Sequence, residues 1–432
     1  MKERRYALII VLIVLVLSSM VPVFSGGQQE PVQEEKEIEL LTFFTPDGTG
    51  TRQVGFKKIV DKFTEETGIK VRYTVVPWNQ VNTQLILSEL SGNSPDISFV
   101  EGEKFALHMA EDTLRPLTSY IKRDMSSSDI EDHLNWNFGV HSDGEKYVFP
   151  ISYLAMALFI RTDLLEAKGL SVPATWDELI AVAKAINTPT TPGLMFPASP
   201  AQATQLNWFQ PIVENFGGKI IGEDGRAIFN SPGGVKAFQL LRSAIHDHKI
   251  TPVDAGSITY DEVTDMFAAG RIGMIFEGSH RYLTIASRLG KDKITLAPIP
   301  GKDKSSPSPT TVVGWTLGIP RGSKHPEEAW EFIKYFNRTE NALEYAKISG
   351  EIPFLKSVSE DKFFVEDASE HIEFFVDYIN KHGISIASPA TAEELVVTLA
   401  EAIQRVVLEP STDIQVILDA AVKEYNQMVG LD

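Results

Sequence analysis

The chain has no cysteine in its 432 residues. That absence excludes a thiol nucleophile, a thiolate-bound zinc site and the attachment of lipid to a cysteine. It also excludes disulfides, which a domain of this size does not need outside the cytoplasm. Catalytic signatures are missing too. No HExxH, P-loop, GxSxG or GxGxxG stands in the strand–turn–helix context that gives such motifs their chemistry. Glu277-Gly278-Ser279-His280 sets a serine beside a histidine, but sequence neighbours rarely form a nucleophile–base pair. His246 and His248 lie two apart on a predicted helix and face different ways, so they do not chelate one ion. Asp47-Gly48-Thr49-Gly50 and Glu223-Asp224-Gly225 lack the ligand spacing that would continue a calcium loop. The reading is therefore of a non-enzyme with no catalytic residue, no metal and no cofactor. Positive charge is also scarce, with 40 Lys and Arg against 58 Asp and Glu and a net charge of −18. Such a surface repels phosphate backbones and makes nucleic acid an unsuitable partner.

What is present is ordinary globular material, 43% hydrophobic and 23% charged, long enough that two domains are expected. The first 25 residues read as a secretory signal peptide. Lys2, Arg4 and Arg5 are followed by the apolar run Ala7–Leu17 and by Val23-Phe24-Ser25 as a cleavage site. Retention of this segment as an anchor helix is the competing reading. Cleavage would leave a chain of net charge −20. Residues 26–37 are polar and aperiodic, a flexible leader.

Folded structure is expected from Ile38. The run Ile38–Phe44 is strand-like, and apolar Phe56, Ile59, Val60 and Phe63 have helical spacing up to Gly68. Ile69–Val76 alternates as a second strand, Val81–Leu90 is helical and Asp96–Val100 is a strand. Strand–helix–strand repetition of this kind predicts a parallel sheet with covering helices, an α/β fold. A second such block follows from Tyr147. Thr175 with Glu178 three residues on marks a helix start. From Ala329 to the end the pattern is helical, broken at Gly350-Glu351-Ile352-Pro353. Lys302–Pro309 reads as a mobile loop tip.

These segments, taken in order, resemble the family 1 extracellular solute-binding proteins of ABC importers, the maltose-binding-protein-like group. The resemblance is carried by Thr67-Gly68-Ile69, Pro77-Trp78, Ser91-Gly92-Asn93-Ser94-Pro95-Asp96 and Gly144-Glu145-Lys146-Tyr147-Val148-Phe149-Pro150. It continues through Pro173-Ala174-Thr175-Trp176-Asp177-Glu178-Leu179, Phe267-Ala268-Ala269-Gly270-Arg271-Ile272-Gly273-Met274 and Glu327-Glu328-Ala329-Trp330. It implies two α/β lobes of the type II periplasmic-binding-protein kind, with the ligand in the cleft between them. One lobe would comprise residues 38–149 and 317–351, and the other 150–316 and 352–432.

The resemblance also implies a carbohydrate ligand, mono- or oligosaccharide, held by aromatic faces and a polar rim. Capture would occur by lobe closure without chemistry, in a monomer outside the cytoplasm, with delivery to the membrane subunits of an importer. The candidate ligand-binding residues are Phe44, Thr45, Trp78, Glu101, Ser152, Tyr153, Asn207, Trp208, Glu277, His280, Trp315 and Glu351. His280 stands where many relatives carry tryptophan, which suggests a more polar contact there. Trp315 follows Gly314, and the small residue is expected to free space beside the indole. Polyols, glycerol phosphate esters and polyamines are alternative ligands, and a secreted glycan-processing enzyme is the alternative from another class.

Overall fold

The computed structural model describes residues 36–365 and 370–431, so the expected signal peptide and most of the leader lie outside the described residues. Two five-stranded sheets organise the rest. The first has the order β2-β1-β3-β9-β4, built from β1 (Glu37–Thr42), β2 (Lys70–Val75), β3 (Ile97–Glu101), β4 (Val148–Pro150) and β9 (Trp315–Gly318). Strands β1, β2 and β3 are parallel, as the strand–helix alternation predicts, while β9 runs antiparallel between β3 and β4.

The helix Thr51–Thr67 buries Phe56, Ile59, Val60 and Phe63 on one face. Phe56 and Phe63 meet Phe99, Phe332 and Phe336 with ring centroids 5.1–6.0 Å apart, knitting the early helix to the return segment Pro326–Phe336. Each such ring taken from water contributes roughly 1.5–3 kcal/mol. Asp96 pins the same return segment. Its carboxylate accepts from Glu39 N (3.0 Å), Ser323 Oγ (2.9 Å), Lys324 N (3.2 Å) and His325 N (3.0 Å), the structural role its turn position predicts.

The second sheet centres on β5 (Leu154–Arg161), whose interior residues are all buried. Around it lie β6 (Met274–Gly278), β7 (Ile294–Ala297), β8 (Thr310–Val313) and β10 (Gly383–Ser385), with β6, β7 and β8 each antiparallel to β5. Here the structure differs from the sequence reading, which predicts a second parallel block. Alternating strands and helices report that helices intervene, but not the direction in which the next strand enters the sheet. Only β10 pairs in parallel, with β8. The helix start at Thr175 is present: its hydroxyl accepts from Glu178 N (3.3 Å), while Glu178 reaches back to Ala174 N (2.9 Å). In the Lys302–Pro309 tip, the exposed Lys304 lies 2.6 Å from Glu178, and Ser308 Oγ donates to Pro300 O (2.6 Å).

The chain passes between the sheets at Ile151–Tyr153, between β4 and β5, and at Gly314, between β8 and β9. Pro150 pairs with Thr316 inside the first sheet, so the change of sheet falls a residue or two from the boundaries expected above. The passages are bound together. Gly102 N donates to Gly314 O (2.9 Å), Ile151 N to Trp315 O (2.9 Å) and Tyr153 N to Ile352 O (3.0 Å). Gly314 is required here for a reason other than the one its neighbour suggests. A Cβ at this position would lie 2.1 Å from the Ser152 carbonyl oxygen, so the free space belongs to backbone and not to the indole. Gly314→Ala is expected to destabilise the chain by about 2 kcal/mol through this overlap, read as a lower midpoint in urea unfolding; an unchanged midpoint would show that the crossing tolerates a side chain.

Candidate functional site

A cavity of about 630 Å³ opens between the two sheets, within the range typical of small-molecule sites. Its walls come from the ends of strands in both sheets. From the first sheet, the register pairs Glu101 of β3 with Trp315 of β9, so carboxylate and indole are cross-strand neighbours. Trp315 is 6% exposed, tilted against Phe43 (4.6 Å between centroids) and Phe99 (6.1 Å).

Phe43 and Phe44 both line the cavity, but Phe43 is the freer ring. Phe44 is buried among Phe43, Phe56 and Phe99. Strand alternation does not decide between them because β1 ends at Thr42, whose Oγ1 accepts from Phe44 N (3.0 Å).

Arg52, in the first turn of the helix Thr51–Thr67, stands over Phe43 and Phe44 with its guanidinium 5.6 and 5.3 Å from the ring centroids. Its Nε lies 2.6 Å from Glu351 Oε1, an electrostatic contact and not a linear hydrogen bond, and its Nη2 is left without a partner.

The opposite wall is built from the helix Tyr260–Ala268 and the turn after β6. Thr259 caps that helix, with its side chain accepting from Glu262 N, and this sets Tyr260, Asp261 and Thr264 toward the cavity. Asp261 accepts from Arg281 Nη2 (2.5 Å) and Gln202 Nε2 (2.7 Å), and it takes Trp78 Nε1 (3.2 Å) from the first sheet's side, closing a polar link across the opening. His280 lines the same wall. Burial, followed by the charges of Arg281 and Arg52, holds its pKa well below the usual imidazole value, so it is neutral.

Of the residues singled out from sequence, Phe44, Trp78, Glu101, Asn207, His280 and Trp315 lie on the cavity wall. The others lie elsewhere. Thr45 is exposed outside it, bonded to Gln53. Ser152 and Tyr153 are buried at the crossing, Tyr153 packed on Phe138 (5.7 Å). Trp208 is fully buried in the second lobe's core, stacked on Phe276 (6.0 Å, 4°).

Glu277 and Glu351 are fully buried one layer behind the wall, and each holds residues that do reach it. Glu277 accepts from Tyr260 Oη and Thr264 Oγ1, and burial raises its pKa. Glu351 faces Arg52 and accepts from Tyr345 Oη. The wall residues that sequence reasoning missed are chiefly Phe43, Arg52, Glu103, Tyr260, Asp261 and Arg281. A signal existed for several: Arg52, Tyr260 and Asp261 occupy the first turns of helices that follow turn or capping residues, and Arg281 adjoins His280.

Among the described residues no group of three or more acidic or histidine side chains could hold a metal. His246 Nε2 instead bonds Val407 O (2.8 Å). The arrangement offers flat apolar faces, unpaired donors and acceptors, and a cleft walled on two sides: means of holding a solute.

The comparisons agree with that geometry. A "Probable ABC transporter-binding protein" of Deinococcus radiodurans is 24% identical over 366 residues, covering 81% of this chain and 83% of its own. The arabinooligosaccharide-binding protein of Bacillus subtilis is 23% identical over 349 residues, covering 79% of this chain and 77% of its own. The maltose-bound structure of MalE3 from T. maritima superposes with a TM-score of 0.79 at 22% identity, over 91% of this chain and 99% of that one. At that identity it speaks for the fold alone: two α/β lobes with a cleft between them. The model of the bacterial extracellular solute-binding proteins matches residues 47–343, which takes in strands of both sheets and both sides of the cavity, and the chain belongs to that family.

Proposed function

We propose that this solute-binding protein captures a carbohydrate outside the cytoplasm and hands it to the membrane subunits of an ABC importer. The observation that carries the reading is the composition of the cavity wall. Trp315, Phe43 and Trp78 supply flat faces, while Arg52, Thr204, Asn207 and Arg281 line the same cavity and each keeps a buried side-chain polar atom without a partner. A sugar ring presents C–H groups on its faces and hydroxyls on its rim, and would satisfy both. Buried polar atoms left unpaired cost free energy, so a ligand that pairs them gains what the empty wall loses.

The wall is shared between two lobes, so occupation favours the state in which both touch the ligand. No bond in the ligand is broken. The names of the relatives support delivery to an ABC importer and an oligosaccharide ligand, and the signal-like first 25 residues support export. Among the described residues no helix is long and apolar enough to cross a membrane.

A thermal-shift screen of mono- and oligosaccharides, polyols and polyamines, followed by calorimetry, tests the reading. A bound ligand at 100 times its Kd adds about 2.7 kcal/mol of stability. A sugar that stabilises the chain and is recovered intact supports the proposal, and release of hydrolysis products would overturn it. Trp315→Ala is expected to weaken the best sugar at least about tenfold with the far-ultraviolet circular dichroism unchanged. Affinity within twofold of the parent would return Trp315 to a packing role. Glu351→Gln should also weaken binding, by about threefold to tenfold, because Arg52 loses the charge that orients it; unchanged calorimetric affinity would show that Arg52 needs no such support.

A further inference from the structure

The charges along the cavity do not balance, and the imbalance lies with two carboxylates at and just after the end of β3. Arg52 is matched by Glu351 at 2.6 Å, Arg281 by Asp261 at 2.5 Å, and Asp265 by Arg288. Glu101 and Glu103 remain. Among the described residues neither forms an ion pair with lysine or arginine. The nearest ammonium, Lys104, is engaged by Glu393 of the helix Ala392–Leu408. Three carboxylates thus share one cation.

The side chains that hydrogen-bond Glu101 and Glu103 are neutral. Glu101 accepts from Asn82 Nδ2 (3.0 Å), and Asn82 Oδ1 faces His108 Nε2 (2.9 Å). Burial lowers His108 to about 3, so it brings no positive charge. The Glu103 carboxylate accepts a long bond from Asn207 Nδ2 (3.5 Å) and one from its own backbone N–H. Burial, with the repulsion of Glu103 next, pushes the Glu101 pKa well above the ordinary carboxylate range, and burial also raises Glu103.

A second, separate observation concerns the same cavity and the residue next to Glu103 in it, Asn207. Thr204 is 7% exposed, lines the cavity and has an Oγ1 without a partner, and its carbonyl accepts from Asn207 N (3.0 Å). Trp315, cross-strand from Glu101, offers an aromatic face with the polarity that attracts cations.

We infer that the ligand carries a protonated amine, and that its class is an amino sugar, with the ammonium against Glu101 and Glu103 and the ring against the aromatic wall. This rests on the carbohydrate reading above. Neutral hydroxyls would hydrogen-bond the pair but leave it to hold a proton or to carry an uncompensated buried charge, and either is costly. An ammonium removes that cost and displaces the proton that the pair otherwise retains. Binding therefore tightens as pH rises above the ordinary carboxylate range, for as long as the amine stays protonated. The groups facing the pair are Lys104 and Glu393; Arg52 and Arg281 stand elsewhere on the wall with their own carboxylates, and His280 is neutral.

Calorimetry with the β-1,4-linked disaccharide of glucosamine, its N-acetylated counterpart and its glucose counterpart tests this. The amine form should bind at least about tenfold more tightly than either neutral form. It should bind more tightly at about pH 7 than at about pH 5.5, and it should release protons when measured in two buffers of different ionisation heat. Glu103→Gln should cut the advantage of the amine to under about threefold, with thermal melting confirming the fold. Neutral disaccharides binding as tightly as the amine would overturn the inference and leave the carbohydrate reading standing. Binding of spermidine with no disaccharide binding would overturn both.

Discussion

The pairing of β9 with β3 is the constraint on which the rest depends. It brings a strand from residue 315 beside one that ends at residue 101, and it lodges β9 between two strands of the first sheet. Everything C-terminal to it returns to the first lobe before crossing again. The pairing fixes Trp315 opposite Glu101, so one piece of register sets both an aromatic wall and the acidic end of the cavity. Because side chains alternate along a strand, a slip of one residue would turn the indole to the sheet's other face.

A second pattern runs through the site. Carboxylates near the cavity stand in two ranks. Glu101, Glu103 and Asp261 touch the open space, while Glu277 and Glu351 are fully buried behind it. The rear rank meets nothing from solvent, yet it fixes Tyr260, Thr264 and Arg52. Buried acids of this sort are expensive unless paired, and here each is paired with the group it orients. The wall residues Tyr260, Thr264 and Arg52 are thus held from behind and not from the cavity side.

The two ranks explain how much of the molecule was legible in the sequence. Periodicity exposed the helix Thr51–Thr67 and the first three strands, because apolar spacing is written into the residues themselves. The direction of β5 relative to its neighbours was not written there, since a strand's own pattern is silent about its partner's sense. For the site, strand ends were visible and depth was not. Glu101 and Trp315 stand at strand termini that reach the cavity, whereas Glu277 stands at an equally suggestive terminus and is sealed behind Tyr260. Trp208 illustrates the same limit: an aromatic flanked by polar residues reads as presented, but its helix face turns it inward onto Phe276. Phe43 and Phe44 both reach the wall, and alternation could not rank them because β1 stops at Thr42, one residue before the pair.

The spread of the wall along the chain bears on how the protein can reach its working form. The cavity draws on Phe43 near one end and Trp315 far along, and Glu393, still later, engages Lys104 beside it. Contacts between residues so distant in sequence form slowly, because the loop between their ends must close first. A chain synthesised from its first residue has the whole of the helix Thr51–Thr67 available long before β9 is made. The cavity is thus a late product of folding, complete only once β9 has inserted beside β3, so a chain shortened before residue 315 would keep its first helix and lack a binding wall.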